Sequence, residues 1–268
     1  MKVYQHYFFD LDGVIYRGNE RLPGAREFID WIEATGRTYL YLSNNSMSTP
    51  AEIAERLRAL DMPAPLERVM TAGSAAASYL GHTYPGARAF VLGLPGLTQM
   101  VADAGLHTLS EEDGAEAQVV LVGLDRSLTY ARLRAAVQAV LNGAAFVTVN
   151  RDPLLPVEGK LEPGTGSIAA AVEASTGVSP YMVGKPEPGI VREALRQVGA
   201  KPEETVMIGD GLTLDIPAGH NAGLETILLL SGITSRAQLT TAAIQPDAVY
   251  DDLAHLLAAT AETEPERR

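Results

Sequence analysis

Two carboxylates follow an apolar run near the start of the chain. Residues 7–9 read Tyr-Phe-Phe, and Asp10 and Asp12 come directly after them, followed by Gly13. Such a run is typical of a buried strand, where two like charges this close are costly unless a cation offsets them. Carboxylate oxygens suit Mg²⁺, so the pair indicates a metal-assisted site with one nucleophilic aspartate and one acid. Taken alone, the stretch also fits a turn with two solvated aspartates.

Polar residues close three further apolar runs. They are Ser43, Asn44 and Asn45 after residues 38–42, Lys185 after residues 181–183, and Asp210 after residues 205–208. Strands of this kind alternate with helical patterns along the chain, which predicts an α/β fold with a parallel sheet covered on both faces. Ligands of such sheets bind beyond the carboxyl ends of the strands, so these polar residues are expected to cluster there.

The clustered residue types match the needs of phosphoryl transfer. Asp10 can attack phosphorus and form an aspartyl phosphate, and Asp12 can protonate the leaving oxygen and later activate water. Lys185 can offset negative charge, and Asp210 can complete the ligands of a metal ion. The serine and asparagines after residue 42 can donate hydrogen bonds to phosphoryl oxygens, although they also fit turn chemistry.

Composition limits the partners of the chain. The 268 residues carry a net charge of −12, which argues against nucleic acid and anionic membranes as partners. There are no cysteines, so disulfides and thiol catalysis are excluded. The first residues lack the pattern of a signal peptide, and no apolar run is long enough to span a bilayer. We therefore expect a cytoplasmic enzyme that acts on small molecules.

A second series of alternating predicted strands and helices is inserted within the first. We predict a core domain over residues 1–81 and 181–268 and a smaller α/β domain over 82–180, with a linker at 81–86. In the core domain, a helical pattern that ends at Gly36 places Ala25, Phe28, Ile29 and Ile32 on one face, and Trp31 of this helix is predicted to pack rather than to recognise a ligand. Within the insertion, residues 130–141 have a helical pattern that places Leu133, Val137, Val140 and Leu141 inward. Residues 150–166 are predicted to form a loop.

The segments DLDGV, LSNN, VGKP and IGDGLTLDI, in this order, resemble the four motifs of the haloacid dehalogenase superfamily of phosphohydrolases. Residues 150–153, 163–167 and 222–226 are similar to segments of its NagD-like and 4-nitrophenylphosphatase branch. The resemblance implies a Rossmann-like three-layer core and Mg²⁺ held by Asp10, the Asp12 backbone carbonyl and Asp210. It also implies that Asp215 supports the metal from behind, although Asp215 fits a helix cap as well.

The resemblance further implies an inserted cap of the type called C2, and Asn150, Arg151 and Asp152 are candidates for its specificity loop. We therefore expect a Mg²⁺-dependent phosphomonoesterase for small phosphorylated metabolites, with 4-nitrophenyl phosphate as an artificial substrate and a homodimer formed through the cap. A phosphotransferase or mutase with the same phosphoaspartate is one alternative, and a non-catalytic phosphate-binding module is another. Gly211 and Leu214 depart from residues common in related sequences, so substrate inferences from relatives weaken there.

Overall fold

The computed structural model describes residues 2–157 and 159–261, which alternate between strands and helices. The strands are β1 (His6–Phe9), β2 (Tyr16–Arg17), β3 (Glu20–Arg21), β4 (Thr38–Ser43), β5 (Val69–Thr71), β6 (Arg88–Leu92), β7 (His107–Thr108), β8 (Val119–Val122), β9 (Ala145–Thr148), β10 (Leu154–Val157), β11 (Lys160–Pro163), β12 (Tyr181–Met182), β13 (Thr205–Gly209), β14 (Glu225–Leu229) and β15 (Ala248–Tyr250). The helices are α1 (Ala25–Ala34), α2 (Pro50–Ala59), α3 (Ala72–Thr83), α4 (Pro95–Asp103), α5 (Tyr130–Leu141), α6 (Thr165–Thr176), α7 (Gly189–Val198), α8 (Asp215–Asn221), α9 (Arg236–Leu239) and α10 (Leu253–Ala261).

Six strands form the larger sheet, in the order β15-β14-β13-β1-β4-β5. Strand β1 lies between β13 and β4 and pairs in parallel with both, with Phe9 opposite Ile208 and Tyr41. Buried aromatic and branched side chains make these strands apolar on both faces, as parallel strands covered by helices require. The predicted α/β fold is therefore confirmed, and the carboxyl ends of β1, β4 and β13 lie at one edge of the sheet.

Helix α1 covers one face of this sheet through the residues that its periodicity predicts. Ala25, Phe28, Ile29 and Ile32 are buried, and Phe28 meets Tyr7 edge to face with ring centroids 5.6 Å apart. The helix begins directly after Gly24, whose φ of 79° favours glycine. The predicted packing role of Trp31 is also confirmed, because it lies against the same aromatic cluster.

The smaller sheet has five parallel strands in the order β12-β9-β8-β6-β7. Its core joins Phe90, Val120 and Phe146 from the strands with the buried faces of α5 and α6. Two antiparallel hairpins, β2–β3 and β10–β11, complete the strands of the described residues. No helix in the described ranges combines the length and the apolar character that crossing a membrane requires.

The chain forms two compact units whose limits differ from the predicted domain boundaries. The first comprises residues up to 43, 50–70 and from 185 onward, and the second comprises 44–49 and 71–184. The predicted linker at 81–86 is wrong in its first half, because α3 continues to Thr83. A Cβ atom at Gly81 would lie 2.7 Å from the Ala104 carbonyl oxygen, so this part of α3 packs closely on the end of α4.

Three other local predictions need correction. The sequence predicts residues 181–183 as part of the core domain, but β12 pairs with β9 of the smaller sheet. The predicted loop at 150–166 contains the hairpin β10–β11 within its described residues, because alternation is hard to recognise in strands of four residues. The predicted inward face of α5 is wrong only for Leu141, which is 60% exposed: Val140 is buried, and Leu133 and Val137 pack half-buried against the same core. The other buried residues of this helix are Ala135, Ala136 and Ala139. Small alanines let this helix approach the sheet closely, which a pattern of large apolar residues does not reveal.

We predict that Phe28→Ala lowers the free energy of unfolding by about 3–5 kcal/mol, because the change opens a cavity among fully buried rings. Urea unfolding followed by circular dichroism measures this loss. Tyr130→Ala is the matched control, since the Tyr130 side chain is 81% exposed and its removal changes stability by less than about 0.5 kcal/mol. Equal losses in both variants would contradict the assignment of the core.

Candidate active site

Two aspartates leave adjacent strands at the same edge of the larger sheet. Asp10 follows β1 and its backbone N–H donates to the Ile208 carbonyl oxygen over 2.9 Å. Asp210 follows β13, the direct neighbour of β1 in the sheet. The parallel pairing of Phe9 with Ile208 sets both aspartates at the same level. The expectation that polar residues meet beyond the carboxyl ends of the strands is met for this pair.

Lys185 lies buried between two carboxylates, with 2% of its side chain exposed. Its Nζ atom donates to Asp10 Oδ1 over 2.5 Å and to Asp215 Oδ1 over 2.7 Å. It also lies 3.4 Å from the Leu42 carbonyl oxygen at the end of β4. The lysine thus connects the first residue after β1 with the first residue of α8, and its ammonium group lies against the predicted nucleophile.

Asp215 is fixed by the loop that follows β13. Its Oδ2 atom accepts a hydrogen bond of 2.9 Å from the Gly211 N–H, and Asp215 itself is the first residue of α8. A Cβ atom at Gly209 would lie 2.1 Å from the Asp215 Cβ, so only glycine permits this approach. Asp215 therefore does not act as the N-cap residue, which is Leu214, and both of its carboxylate oxygens accept hydrogen bonds.

Asp210 is held by residues that the sequence analysis missed. The backbone N–H of Ile233 donates to Asp210 Oδ2 over 2.7 Å, and the Thr234 hydroxyl donates to the Asp210 carbonyl oxygen over 2.5 Å. A signal was present in the sequence, because the apolar run at 226–230 is also followed by a polar residue, Ser231. This run belongs to β14, the neighbour of β13, and its carboxyl end lies at the same edge.

Negative charge exceeds positive charge in this cluster. Burial raises the pKa of the Asp10 carboxyl to about 7, with Asp215 and Asp210 adding to the rise and Lys185 opposing it. Burial likewise raises the pKa of Asp210 to about 6, against the lowering effect of the Ile233 N–H. Burial alone would lower the pKa of Lys185, but Asp10 and Asp215 outweigh it and the pKa lies above its usual value. The ammonium group is therefore charged at neutral pH.

The cluster suits a divalent cation. Each of Asp10, Asp210 and Asp215 offers a carboxylate oxygen, and these oxygens lie within 4.8 Å of one another. Three buried or half-buried carboxylates around one ammonium leave an excess of negative charge, which a hard cation with oxygen ligands would neutralise. The donor set and the raised pKa values of two of its members therefore fit a metal ion of the kind that the sequence predicts.

The remaining predicted core residues lie at the same strand ends or in the segments that follow them. Asp12 is exposed in the turn after β1, and Ser43 is the buried last residue of β4. Asn44 and Asn45 belong to the second unit. Asn45 Oδ1 accepts hydrogen bonds from the N–H groups of the two turn residues 47 and 48, as turn chemistry predicts. The phosphate-binding roles of these residues stay predictions.

The second unit contains a cavity of about 250 Å³ whose lining includes Asn44, Asn150, Asp152 and Thr165. Asn150 Nδ2 donates to the Asn44 carbonyl oxygen over 3.1 Å. The buried Thr165 hydroxyl has no hydrogen-bond partner among the described residues. Arg151 does not line this cavity, and its guanidinium lies 3.2 Å from Glu173 of α6. Two of the three predicted specificity residues are thus together at a cavity whose lining is mixed, because Met47 and three leucines also contribute to it.

The α/β fold and the carboxylate–lysine cluster suit an enzyme with a metal site, and family comparisons identify its class. Residues 7–107 match the family model described as haloacid dehalogenase-like hydrolase, and residues 182–256 match a second model described as HAD-hydrolase-like. The chain belongs to the haloacid dehalogenase-like hydrolases. The sequence resemblance to this family is confirmed.

Proteins that are similar over nearly the full length of the chain indicate a narrower enzyme class. The chain is 38% identical over 253 residues to the 5'-nucleotidase YutF of Bacillus subtilis, covering 94% of this chain and 97% of the relative. It is 38% identical over 258 residues to an acid sugar phosphatase of Staphylococcus aureus, covering 96% and 98%. The p-nitrophenyl phosphatase of Archaeoglobus fulgidus superposes with a TM-score of 0.87 at 31% identity, covering 96% and 99%.

These comparisons confirm the resemblance to the NagD-like and 4-nitrophenylphosphatase branch. They also confirm the predicted enzyme class, a hydrolase that acts on phosphoric monoesters.

We predict that the melting temperature in chelator falls as pH rises from 5 to 8. The Asp10 pKa of about 7 lies above its ordinary value of 3.8, so the stability linked to its proton is present at low pH and is lost as pH rises through about 7. In Asp10→Asn, the part of the fall in melting temperature that depends on the Asp10 proton should be absent. Differential scanning fluorimetry measures the profiles.

Added Mg²⁺ should stabilise the wild type more at pH 8 than at pH 5, because carboxylates must lose their protons to bind metal. Asp103→Asn, at an exposed aspartate of α4, is the control and should follow the wild-type profile. Identical profiles for Asp10→Asn and the wild type would contradict the raised pKa of Asp10.

Proposed function

We propose that the protein is a Mg²⁺-dependent phosphomonoesterase that hydrolyses small phosphate esters through an aspartyl phosphate on Asp10. The observation that carries this proposal is the buried Lys185 ammonium 2.5 Å from Asp10 Oδ1, beside three carboxylates that suit a cation. A lysine in this position favours the ionised form of the nucleophilic carboxylate, against the effect of burial, and attracts the phosphoryl group. The names of the relatives support nucleotide monophosphates, sugar phosphates and 4-nitrophenyl phosphate as candidate substrates. Phosphoglycolate is a further candidate that only the sequence resemblance implies.

In the first step, a carboxylate oxygen of Asp10 attacks phosphorus while the bond between phosphorus and the ester oxygen breaks. Asp12 gives its proton to the departing oxygen, so the alcohol leaves neutral. The phosphoryl group is then covalently bound to Asp10. The exposure of Asp12 beside β1 is consistent with access to a leaving group at the surface of the first unit.

In the second step, Asp12, now ionised, takes a proton from water as the water oxygen attacks phosphorus. The bond between phosphorus and Asp10 breaks, phosphate leaves, and both aspartates return to their starting protonation states. Lys185, Ser43, Asn44 and Asn45 are proposed to bind the phosphoryl oxygens through the reaction. Asp10, the Asp12 carbonyl and Asp210 would hold Mg²⁺, with Asp215 in support, and the cation would neutralise charge on the phosphoryl oxygens.

We further propose that Asn150 and Asp152 influence which alcohol the enzyme accepts. The cavity that they line combines a carboxylate and amides with Met47, three leucines and the Thr165 hydroxyl, which has no hydrogen-bond partner in the part of the chain that the structure describes. Such a lining favours alcohols that carry hydroxyl groups of their own over purely apolar ones. The ion pair of Arg151 with Glu173 gives no support to a similar role for Arg151. The homodimer and the cytoplasmic location stay predictions.

The central test is hydrolysis of 4-nitrophenyl phosphate with Mg²⁺ and with chelator. We expect activity only with the metal, and a loss of more than about 10³-fold in Asp10→Asn, because an amide oxygen is a far weaker nucleophile than a carboxylate oxygen. Asp30→Asn, at an exposed aspartate of α1, is the control and should keep wild-type activity. Full activity in chelator or in Asp10→Asn would contradict the proposal.

Asp12→Asn separates the two steps. Steady-state activity should fall about 10²–10⁴-fold, yet one equivalent of 4-nitrophenolate should appear in a burst, because this good leaving group departs without a proton. Mass spectrometry should then detect phosphorylated enzyme. Equal release of nitrophenol and phosphate by the wild type marks water as the acceptor, whereas release that depends on an added alcohol or sugar phosphate would indicate a phosphotransferase.

Asp152→Asn should change substrate preference and leave basal chemistry intact. We expect the ratio of kcat/KM for a hydroxylated sugar phosphate to that for 4-nitrophenyl phosphate to fall about tenfold, because a charged hydrogen bond to the alcohol is lost. Arg151→Ala is the matched control and should leave this ratio unchanged. A proportional loss for both substrates in Asp152→Asn would argue against a role in selectivity.

A further inference from the structure

The turn after β14, formed by residues Ser231–Thr234 and called here the 231–234 turn, contacts the candidate active site of the first unit. Its Ile233 N–H donates to Asp210 Oδ2 over 2.7 Å, and its Thr234 hydroxyl donates to the Asp210 carbonyl oxygen over 2.5 Å. One bond therefore orients the carboxylate, and the other fixes the backbone from which the side chain extends. Thr234 is 6% exposed, so water competes little with its hydrogen bond.

The same turn also holds the loop that carries the proposed nucleophile. The Ser231 hydroxyl donates to the Gly13 carbonyl oxygen over 2.7 Å, and the Arg17 guanidinium donates to the Ser231 carbonyl oxygen. Gly13 in turn donates its N–H to the Tyr16 carbonyl oxygen over 2.8 Å. The 231–234 turn thus connects the loop after β1 with the loop after β13, although these loops are far apart in the sequence.

Packing leaves the Asp210 carboxylate little freedom. A Cβ atom at Gly232 would lie 1.8 Å from Asp210 Oδ2, and one at Gly13 would lie 2.3 Å from the same atom. Gly13 also has a φ of +80°, which side chains rarely adopt. The carboxylate is therefore enclosed between two glycines, and either side chain would displace it.

Electrostatics explains why such restraint is needed. Oxygens of Asp10, Asp210 and Asp215 lie within 4.8 Å of one another, so like charges push the carboxylates apart when no cation is bound. Asp10 and Asp215 are restrained by the Lys185 ammonium. Asp210 instead receives hydrogen bonds from neutral groups of the 231–234 turn, which hold it without cancelling the charge that attracts a metal ion.

We propose that the 231–234 turn is a positioning device that preorganises Asp210 for a divalent cation, with Thr234 as its main side chain. The turn sets the affinity for the metal, and the chemical step at saturating metal does not depend on the Thr234 hydroxyl. The inference rests on the metal dependence of the proposed function. Groups that orient metal ligands typically change metal affinity about 10–100-fold when they are lost.

The test compares Thr234→Val, which removes the hydroxyl and keeps the shape, with Thr234→Ser, which keeps the hydroxyl. Thr260→Val is the matched control, because the buried Thr260 hydroxyl donates to the Leu256 carbonyl oxygen over 2.6 Å in α10. Isothermal titration with MgCl₂ and the shift of melting temperature with MgCl₂ report metal binding without turnover. The expected result is a Kd about tenfold higher for Thr234→Val and close to wild type for Thr234→Ser and Thr260→Val.

Activity supplies a second readout. The Mg²⁺ concentration for half-maximal hydrolysis of 4-nitrophenyl phosphate should rise with the Kd in Thr234→Val, whereas kcat at saturating Mg²⁺ should stay at the wild-type value. Gly232→Ala is a second variant, in which the added methyl group displaces the Asp210 carboxylate. It should also weaken Mg²⁺ binding. It keeps the proposal testable if Thr234→Val does not fold.

Two results would overturn the inference, and they differ from each other. Thr234→Val and Gly232→Ala with wild-type Kd values, and with only a lowered melting temperature in chelator as in Thr260→Val, would show that the turn is merely structural. Absence of Mg²⁺ binding by the wild-type protein would remove the metal from the proposed function itself, and the inference would fail with it.

Discussion

The placement of one ammonium among three carboxylates is the constraint on which the candidate site depends. Lys185 is buried and bonded to Asp10 and Asp215, so its charge is held against the predicted nucleophile. One positive charge cannot balance three carboxylates. Burial, together with the charges of Asp215 and Asp210, raises the pKa of Asp10 to about 7 although Lys185 opposes the rise. The excess of negative charge lowers the free energy of unfolding when nothing is bound. The same excess attracts a cation, which can in turn bind a phosphoryl group. Stability and function therefore make opposite demands on this cluster.

The parallel sheet brings these charged residues together through short loops. Adjacent strands β1 and β13 deliver Asp10 and Asp210 to the same edge, and their pairing fixes the two backbones relative to each other. Buried aromatic side chains of β1, α1 and β4 pack together behind the aspartates. The short loops beyond the strands can then carry charged groups that a less supported backbone would let drift apart.

Glycine and neutral donors complete what the strands begin. Gly13, Gly209 and Gly232 allow backbone and carboxylates to approach at distances that no side chain would permit. The N–H groups of Gly211 and Ile233 bind Asp215 and Asp210 without adding charge. Lys185 places a positive charge beside the proposed nucleophile, and backbone N–H groups orient the proposed metal ligands. The chain belongs to the haloacid dehalogenase-like hydrolases, so these separate roles of the lysine and the backbone are expected to serve an enzymatic reaction.

The sequence alone determined the α/β class, the inward face of α1 and the residue types at the ends of β1, β4 and β13, because these depend on local periodicity and on where apolar runs stop. Tertiary structure decided that β12 pairs with the smaller sheet, that alanines rather than Leu141 face inward on α5, and that Thr234 binds the Asp210 backbone. Each of these depends on contacts between segments distant in sequence. Local patterns carry no information about the partner of such a contact, so only the folded chain reveals it.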